Sequence, residues 1–182
     1  DAGLGVKRAQ GEITIVCELA PDPVGSGLVA SLAHPGGNAT GLSTLGAELH
    51  VKRLQLLKEI QPRLRRVTVF GLMTENEGKQ AKAEAHAMGL ELQFLQATSV
   101  EQIGPALDAM TRNRPEGIMV TGGSVTFLEQ RRVIDRIAEL RVPAIYISSQ
   151  VVTAGGLMSY GHDISVNFRH AASFVDRILR GA

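Results

Sequence analysis

Apolar residues along this chain fall into short β-branched runs separated by amphipathic stretches. Ile13–Cys17 (ITIVC) reads as a buried strand, ended by Pro21-Asp22-Pro23. Gly25–Ala33 is predicted as a short helix, His34-Pro35-Gly36-Gly37-Asn38 as a turn, and Thr40–Ser43 as a short strand. Leu45, Leu49, Leu54, Leu56, Leu57 and Ile60 mark the apolar face of the next helix, which leaves Lys52, Arg53 and Lys58 outside it and stops at Pro62. Strands are predicted at Val67–Leu72, Leu90–Leu95, Gly117–Val120, Val142–Ile147 and Leu157–Tyr160. Helices fill the intervals. One opens on Thr74 with Glu77 three residues later, a capping box, and ends at Gly89. Ser99 with Gln102 repeats that signature. Ser124 is expected to cap a helix reaching about Leu140, and Asp163 or Ser165 a last one ending near Leu179.

From Val67 to Ile147 strands and helices alternate strictly, which predicts a parallel sheet covered by helices on both faces. Nearly continuous apolar strands fit burial on both sides. In such a sheet, ligands lie outside the carboxyl ends of the strands. Those ends carry Thr74 and Glu75, then Gly122, Gly123 and Ser124, then Ser148 and Gln150. They supply hydroxyls, amides and free helix N–H groups, suited to a carboxylate or other small anion, while Asp22 and Glu75 could complement an ammonium. The bland alternative is that Thr74 and Ser124 serve only as caps.

Composition narrows the class. Lys plus Arg is 19 against 18 for Asp plus Glu, so no global charge draws the chain to nucleic acid or an anionic membrane. A single cysteine, Cys17, excludes an intramolecular disulfide and a multi-cysteine metal cage. The histidines His34, His50, His86, His162 and His170 are scattered without metal-ligand spacing and read as exposed or capping residues. No nucleophile elbow surrounds Ser148. No catalytic set, metal or cofactor is expected. Gly25-Ser26-Gly27-Leu28-Val29-Ala30 matches a dinucleotide fingerprint, but the two prolines between strand and glycines spoil the tight turn it needs. Asp1–Gln10 lacks the pattern of a signal peptide and is expected to begin inside a longer protein.

Four segments then carry a resemblance. Gly27–Gly41 (GLVASLAHPGGNATG) strongly resembles a signature of the ABC-transporter substrate-binding protein family that includes aromatic-amino-acid binders. Lys52–Glu59 (KRLQLLKE) is similar to its crossover helix, Val142–Tyr146 to a later strand, and Ala154–Gly161 to its return to the first lobe. The resemblance implies an α/β fold, a parallel-sheet Rossmann-like lobe of a type 1 periplasmic binding protein, with an incomplete second lobe. Residues 45–156 would be the flavodoxin-like second lobe, and 1–44 with 157–182 the remnant of the first lobe plus hinge crossovers. It further implies a solute-binding component of a bacterial ABC importer, periplasmic or extracellular and membrane-associated. Its partners would be a small solute, held in a cleft between the lobes, and a membrane permease, but not nucleic acid. Asp22 would be the first-lobe contact; Thr74, Glu75, Gly122, Gly123, Ser124, Ser148 and Gln150 would be those of the second. Tyr160 would have a hinge or packing role. The loops at Thr74, Ser124 and Ser148 depart from the family pattern toward small polar residues, which favours a polar, amino-acid-like solute over an aromatic one. An incomplete lobe with open edges is expected to pair as a homodimer. Two rivals stand beside this reading: an effector-binding domain of a transcription regulator, and a nucleotide-dependent enzyme.

Overall fold

The computed structural model describes residues 13–181, so the expectation for Asp1–Gln10 lies outside the described residues. In chain order the elements are β1 (Ile15–Ala20), β2 (Ala39–Ser43), α1 (Gly46–Ile60), β3 (Arg66–Phe70), α2 (Glu75–Ala87), β4 (Glu91–Leu95) and α3 (Val100–Asn113). They continue as β5 (Gly117–Val120), α4 (Ser124–Leu128), α5 (Gln130–Leu140), β6 (Ala144–Tyr146), α6 (Ser149–Thr153), β7 (Met158–Ser159) and α7 (Ile164–Leu179). The chain divides into two compact units, Ala47–Gly161, and Asp1–Gly46 with His162–Ala182.

The larger unit holds a five-stranded sheet in the order β4-β3-β5-β6-β7, every pair parallel. Side chains alternate between its faces, as the pleat requires. Val67, Val69, Met119 and Ile145 pack with Leu54 and Leu57 of α1 and Ala85 of α2. Phe70, Ile118, Val120, Ala144 and Tyr146 pack on the opposite face with Ile103, Leu107 and Met110 of α3 and Val133, Ile134 and Ile137 of α5. Both faces are dry, so these strands can be apolar at every position. Counted within the unit, the strand order is the flavodoxin-like 2-1-3-4-5, whose topological switch point lies between β3 and β5.

In the smaller unit β1 and β2 pair in parallel, and α7 packs against both. The side chain of Asp163 caps α7 by accepting from Ser165 N at 2.8 Å.

Several expectations are corrected. The first strand starts two residues later than its apolar run and extends to Ala20. Gly25–Ala33 forms successive turns and bends rather than a helix. Asp22 Oδ1 accepts from Gly25 N three residues on, at 2.7 Å, as an N-cap would, but Gly27 at φ 68° ends the turn before a helix can propagate. The helix placed over 124–140 is two helices, α4 and α5, and the N-cap of α4 is Gly123, not Ser124. Ser99 makes no capping bond; Gln102 Oε1 accepts instead from Thr98 N and Oγ1, at 2.9 and 3.0 Å. The Thr74–Glu77 capping box forms in full.

Candidate functional site

The carboxyl ends of β3 and β5 are sewn together past the last strand residues. Leu72 N donates to Gly122 O at 2.8 Å and Thr121 N to Phe70 O at 2.8 Å. This close approach requires glycine at position 71. Its φ is 123°, and a Cβ there would stand 2.6 Å from Thr121 Oγ1 and 2.8 Å from Thr121 O. Gly123, at φ 147°, turns the chain into α4 beside Leu72 and Thr126. On the far side Tyr160 N donates to Tyr146 O at 3.0 Å, carrying the edge on to β7.

Seven of the residues singled out in the sequence follow the carboxyl ends of β3, β5 and β6 of this one sheet. Thr74 and Glu75 are exposed in and after the β3 loop. Gly122 and Gly123 are half-buried and Ser124 is exposed after β5. Ser148 is buried and Gln150 exposed after β6. Their groups are not equally available. Thr74 Oγ1 is committed to capping, accepting from Glu77 N at 3.2 Å. Glu75 bonds to Lys79 one turn on, which holds its carboxyl below the ordinary value. Ser148 caps no helix N–H, although it stands at the N-cap of α6. Asp22 belongs to the smaller unit, half-buried, closing the turn to Gly25.

Sequence reasoning missed a buried cluster of charged and ionisable side chains in this unit. Arg53, expected outside the apolar face, is 2% exposed, and His50, expected exposed or capping, is 5% exposed. Arg53 Nε donates to Tyr160 O at 2.6 Å, and its Nη1 lies 2.9 Å from His50 Nδ1. The other ring nitrogen, Nε2, lies 3.5 Å from Glu77 Oε1. Glu77 Oε2 accepts from Thr74 N at 2.7 Å. A buried chain of polar groups therefore runs from the β3 loop to the end of β7. Burial draws the Arg53 guanidinium down to about 10 against the pull of Glu77, so it stays charged at neutral pH. Burial works against a charge on Glu77, but hydrogen bonds from His50 and Thr74 outweigh it and hold the carboxyl below its ordinary value. The signal was present in α1: positions 50, 53, 54 and 57 have the i, i+3, i+4, i+7 spacing of a core stripe.

The turns at Gly25–Ala30 leave the dinucleotide fingerprint without the helix N-terminus it requires. No helix among the described residues is long and apolar enough to cross a membrane.

A family model described as ABC transporter substrate binding protein matches residues 2–182. No curated protein sequence matches the chain significantly. Among solved structures, an ABC domain in complex with L-Trp from Streptococcus pneumoniae aligns with a TM-score of 0.84 at 23% identity, covering 100% of this chain and 62% of that one. A conserved domain protein of Vibrio cholerae O1 biovar eltor aligns at 0.85 and 24% identity, covering 99% and 61%. The ligand-free, open structure of a substrate binding protein with adhesive properties from Clostridium difficile aligns at 0.61 and 21% identity, covering 100% and 62%. The chain thus spans about three fifths of the length of these structures, which share its fold.

Proposed function

We propose, on the premise that this chain belongs to the ABC transporter substrate-binding protein family, that it is the solute-binding component of a bacterial ABC importer. The solute is small, polar and amino-acid-like. In this reading residues 45–156 form one lobe, and the protein works outside the cytoplasmic membrane with a permease.

The observation that carries the reading is the strand edge at the switch point between β3 and β5. The loops after β3, β5 and β6, three neighbouring strands of one sheet, bear Thr74, Glu75, Gly122, Gly123, Ser124, Ser148 and Gln150, a set of hydroxyl, amide, carboxylate and bare backbone groups. Such groups hold a small polar solute through hydrogen bonds. The streptococcal neighbour holds L-Trp. The loops of this chain carry glycine, serine and glutamine, which favours a smaller and more polar amino acid. Asp22 is the contact the reading assigns to the smaller unit.

Hydrogen-exchange footprinting of the protein at its full natural length, with and without a saturating mixture of amino acids, tests this. Slowed exchange at 72–75, 122–124 and 148–150 is expected. Slowing elsewhere, or nowhere, counts against the assigned edge.

A further inference from the structure

The polar chain Thr74–Glu77–His50–Arg53–Tyr160, buried at its three middle members, reaches two stretches of the strand edge from inside the protein. Three elements contribute to it. Glu77 comes from the first turn of α2, His50 and Arg53 from α1, and Tyr160 from the segment after β7. The hydrogen bonds fix its chemistry. Arginine has only donors, so His50 Nδ1 must accept from Arg53, and the single proton of the neutral ring then sits on Nε2, facing Glu77 Oε1. Histidine in this tautomer links a buried cation to a buried carboxylate without adding charge. Both ends are aimed at backbone. Glu77 Oε2 takes the Thr74 amide, and Arg53 Nε donates to the Tyr160 carbonyl. The fit around the second end is tight: a Cβ at Gly161 would overlap Ile147 O and come to 3.2 Å from Arg53 Nη2.

We propose that Arg53, His50 and Glu77 are positioning residues that lock the Thr74 loop and Tyr160 to one internal anchor, so that two ends of the candidate solute edge hold a fixed geometry together. The proposal rests on the reading of that edge as the solute edge. The backbone at Thr74 cannot shift without disturbing Glu77, and that disturbance passes through His50 and Arg53 to Tyr160. Removing a middle member must therefore loosen backbone it does not touch.

Amide hydrogen exchange of the full chain, read at Thr74, Tyr160 and Ile118, tests this. The Ile118 amide, bonded to Pro143 O at 2.9 Å in the sheet core, reports overall stability. Arg53→Lys keeps the charge but cannot hold Tyr160 O and His50 Nδ1 together. It should speed exchange at Tyr160 about tenfold and at Thr74 at least about threefold, relative to Ile118. His50→Asn is gentler and directional. Its Oδ1 can replace Nδ1 as acceptor for Arg53 but cannot reach Glu77, so Thr74 should accelerate while Tyr160 stays at the wild-type rate. If Arg53→Lys does not fold, His50→Asn decides alone. A Thr74 amide unmoved in the variants that fold, or equal acceleration at all three amides, would overturn the proposal. Neither readout needs a solute. A failed solute search leaves this test standing, and an unmoved Thr74 leaves solute binding standing.

Discussion

Replacing Glu77 with alanine is the sharpest perturbation of the buried cluster. Glu77 is 4% exposed and Arg53 2% exposed, so the variant leaves a guanidinium in the interior without its carboxylate. Glu77 reaches Arg53 only through His50, so the cost of breaking a directly paired buried ion, about 3–5 kcal/mol, is the upper bound on the loss. Within that figure, about 1 kcal/mol belongs to the capping box, because Thr74 N loses its acceptor. Glu77→Gln separates the two parts. Glutamine still serves at the third helical position, so this variant should retain the cap and be about 1 kcal/mol more stable than Glu77→Ala. The contrast is the exposed pair Arg131–Asp135, whose side chains are 77% and 52% exposed. Arg131→Ala should cost no more than about 0.5 kcal/mol. Urea unfolding followed by tyrosine fluorescence suits the measurement. The chain has no tryptophan and two tyrosines, Tyr146 and Tyr160, both in the larger unit. The midpoint should fall with an unchanged slope. A loss below about 1 kcal/mol for Glu77→Ala would refute the reasoning, because it would mean that Arg53 is rehydrated at no cost and was never held by the cluster.

Further outcomes follow from neighbouring features. The carboxyl of Glu77 titrates below its ordinary value in the fold, so its contribution is present above an unfolded value of about 4.3 and is lost as pH falls through the folded one. The stability gap between wild type and Glu77→Gln should therefore narrow in acid, as urea midpoints measured from pH 6 to pH 3 would show. Burial pushes the Tyr146 phenol up to about 12. Its contribution is complete below an unfolded value of about 10 and lost as pH rises toward the folded one, so Tyr146→Phe should flatten the alkaline fall in midpoint between about pH 10 and 12. Gly71→Ala places a Cβ against Thr121 at a strained φ of 123° and should cost about 2 kcal/mol or more, read as a lowered Tm.

The sheet was legible because its strands are buried on both faces. Val67, Val69, Ile118, Met119 and Ile145 need no polar alternation, and the intervening helices force parallel pairing. That order of elements alone also places Thr74, Gly122 and Ser148 after strand ends. What each group does there was not legible. Ser124 has the chemistry of a cap, but the chain reaches α4 through a backbone angle that glycine adopts readily, and Gly123 takes the position. At Gly25–Ala33 the sequence suggested a helix, whereas Gly27, in the left-handed region at φ 68°, turns the chain away first. His50 and Arg53 were misread for a different reason. They occupy core positions of α1, and their counter-charge arrives from α2, more than twenty residues later in the chain. A residue's charge argues for solvent only until its partner in space is known.

Solute binding itself is most directly tested by a thermal-shift screen of the full-length protein against amino acids, small carboxylates and amides. A solute bound to the native state stabilises by mass action, about 2.7 kcal/mol at a hundredfold excess over Kd. The account predicts a concentration-dependent rise in Tm with a small polar amino acid or close analogue, and none with a dinucleotide. A rise with the dinucleotide, or no rise with any amino acid, carboxylate or amide, would contradict it.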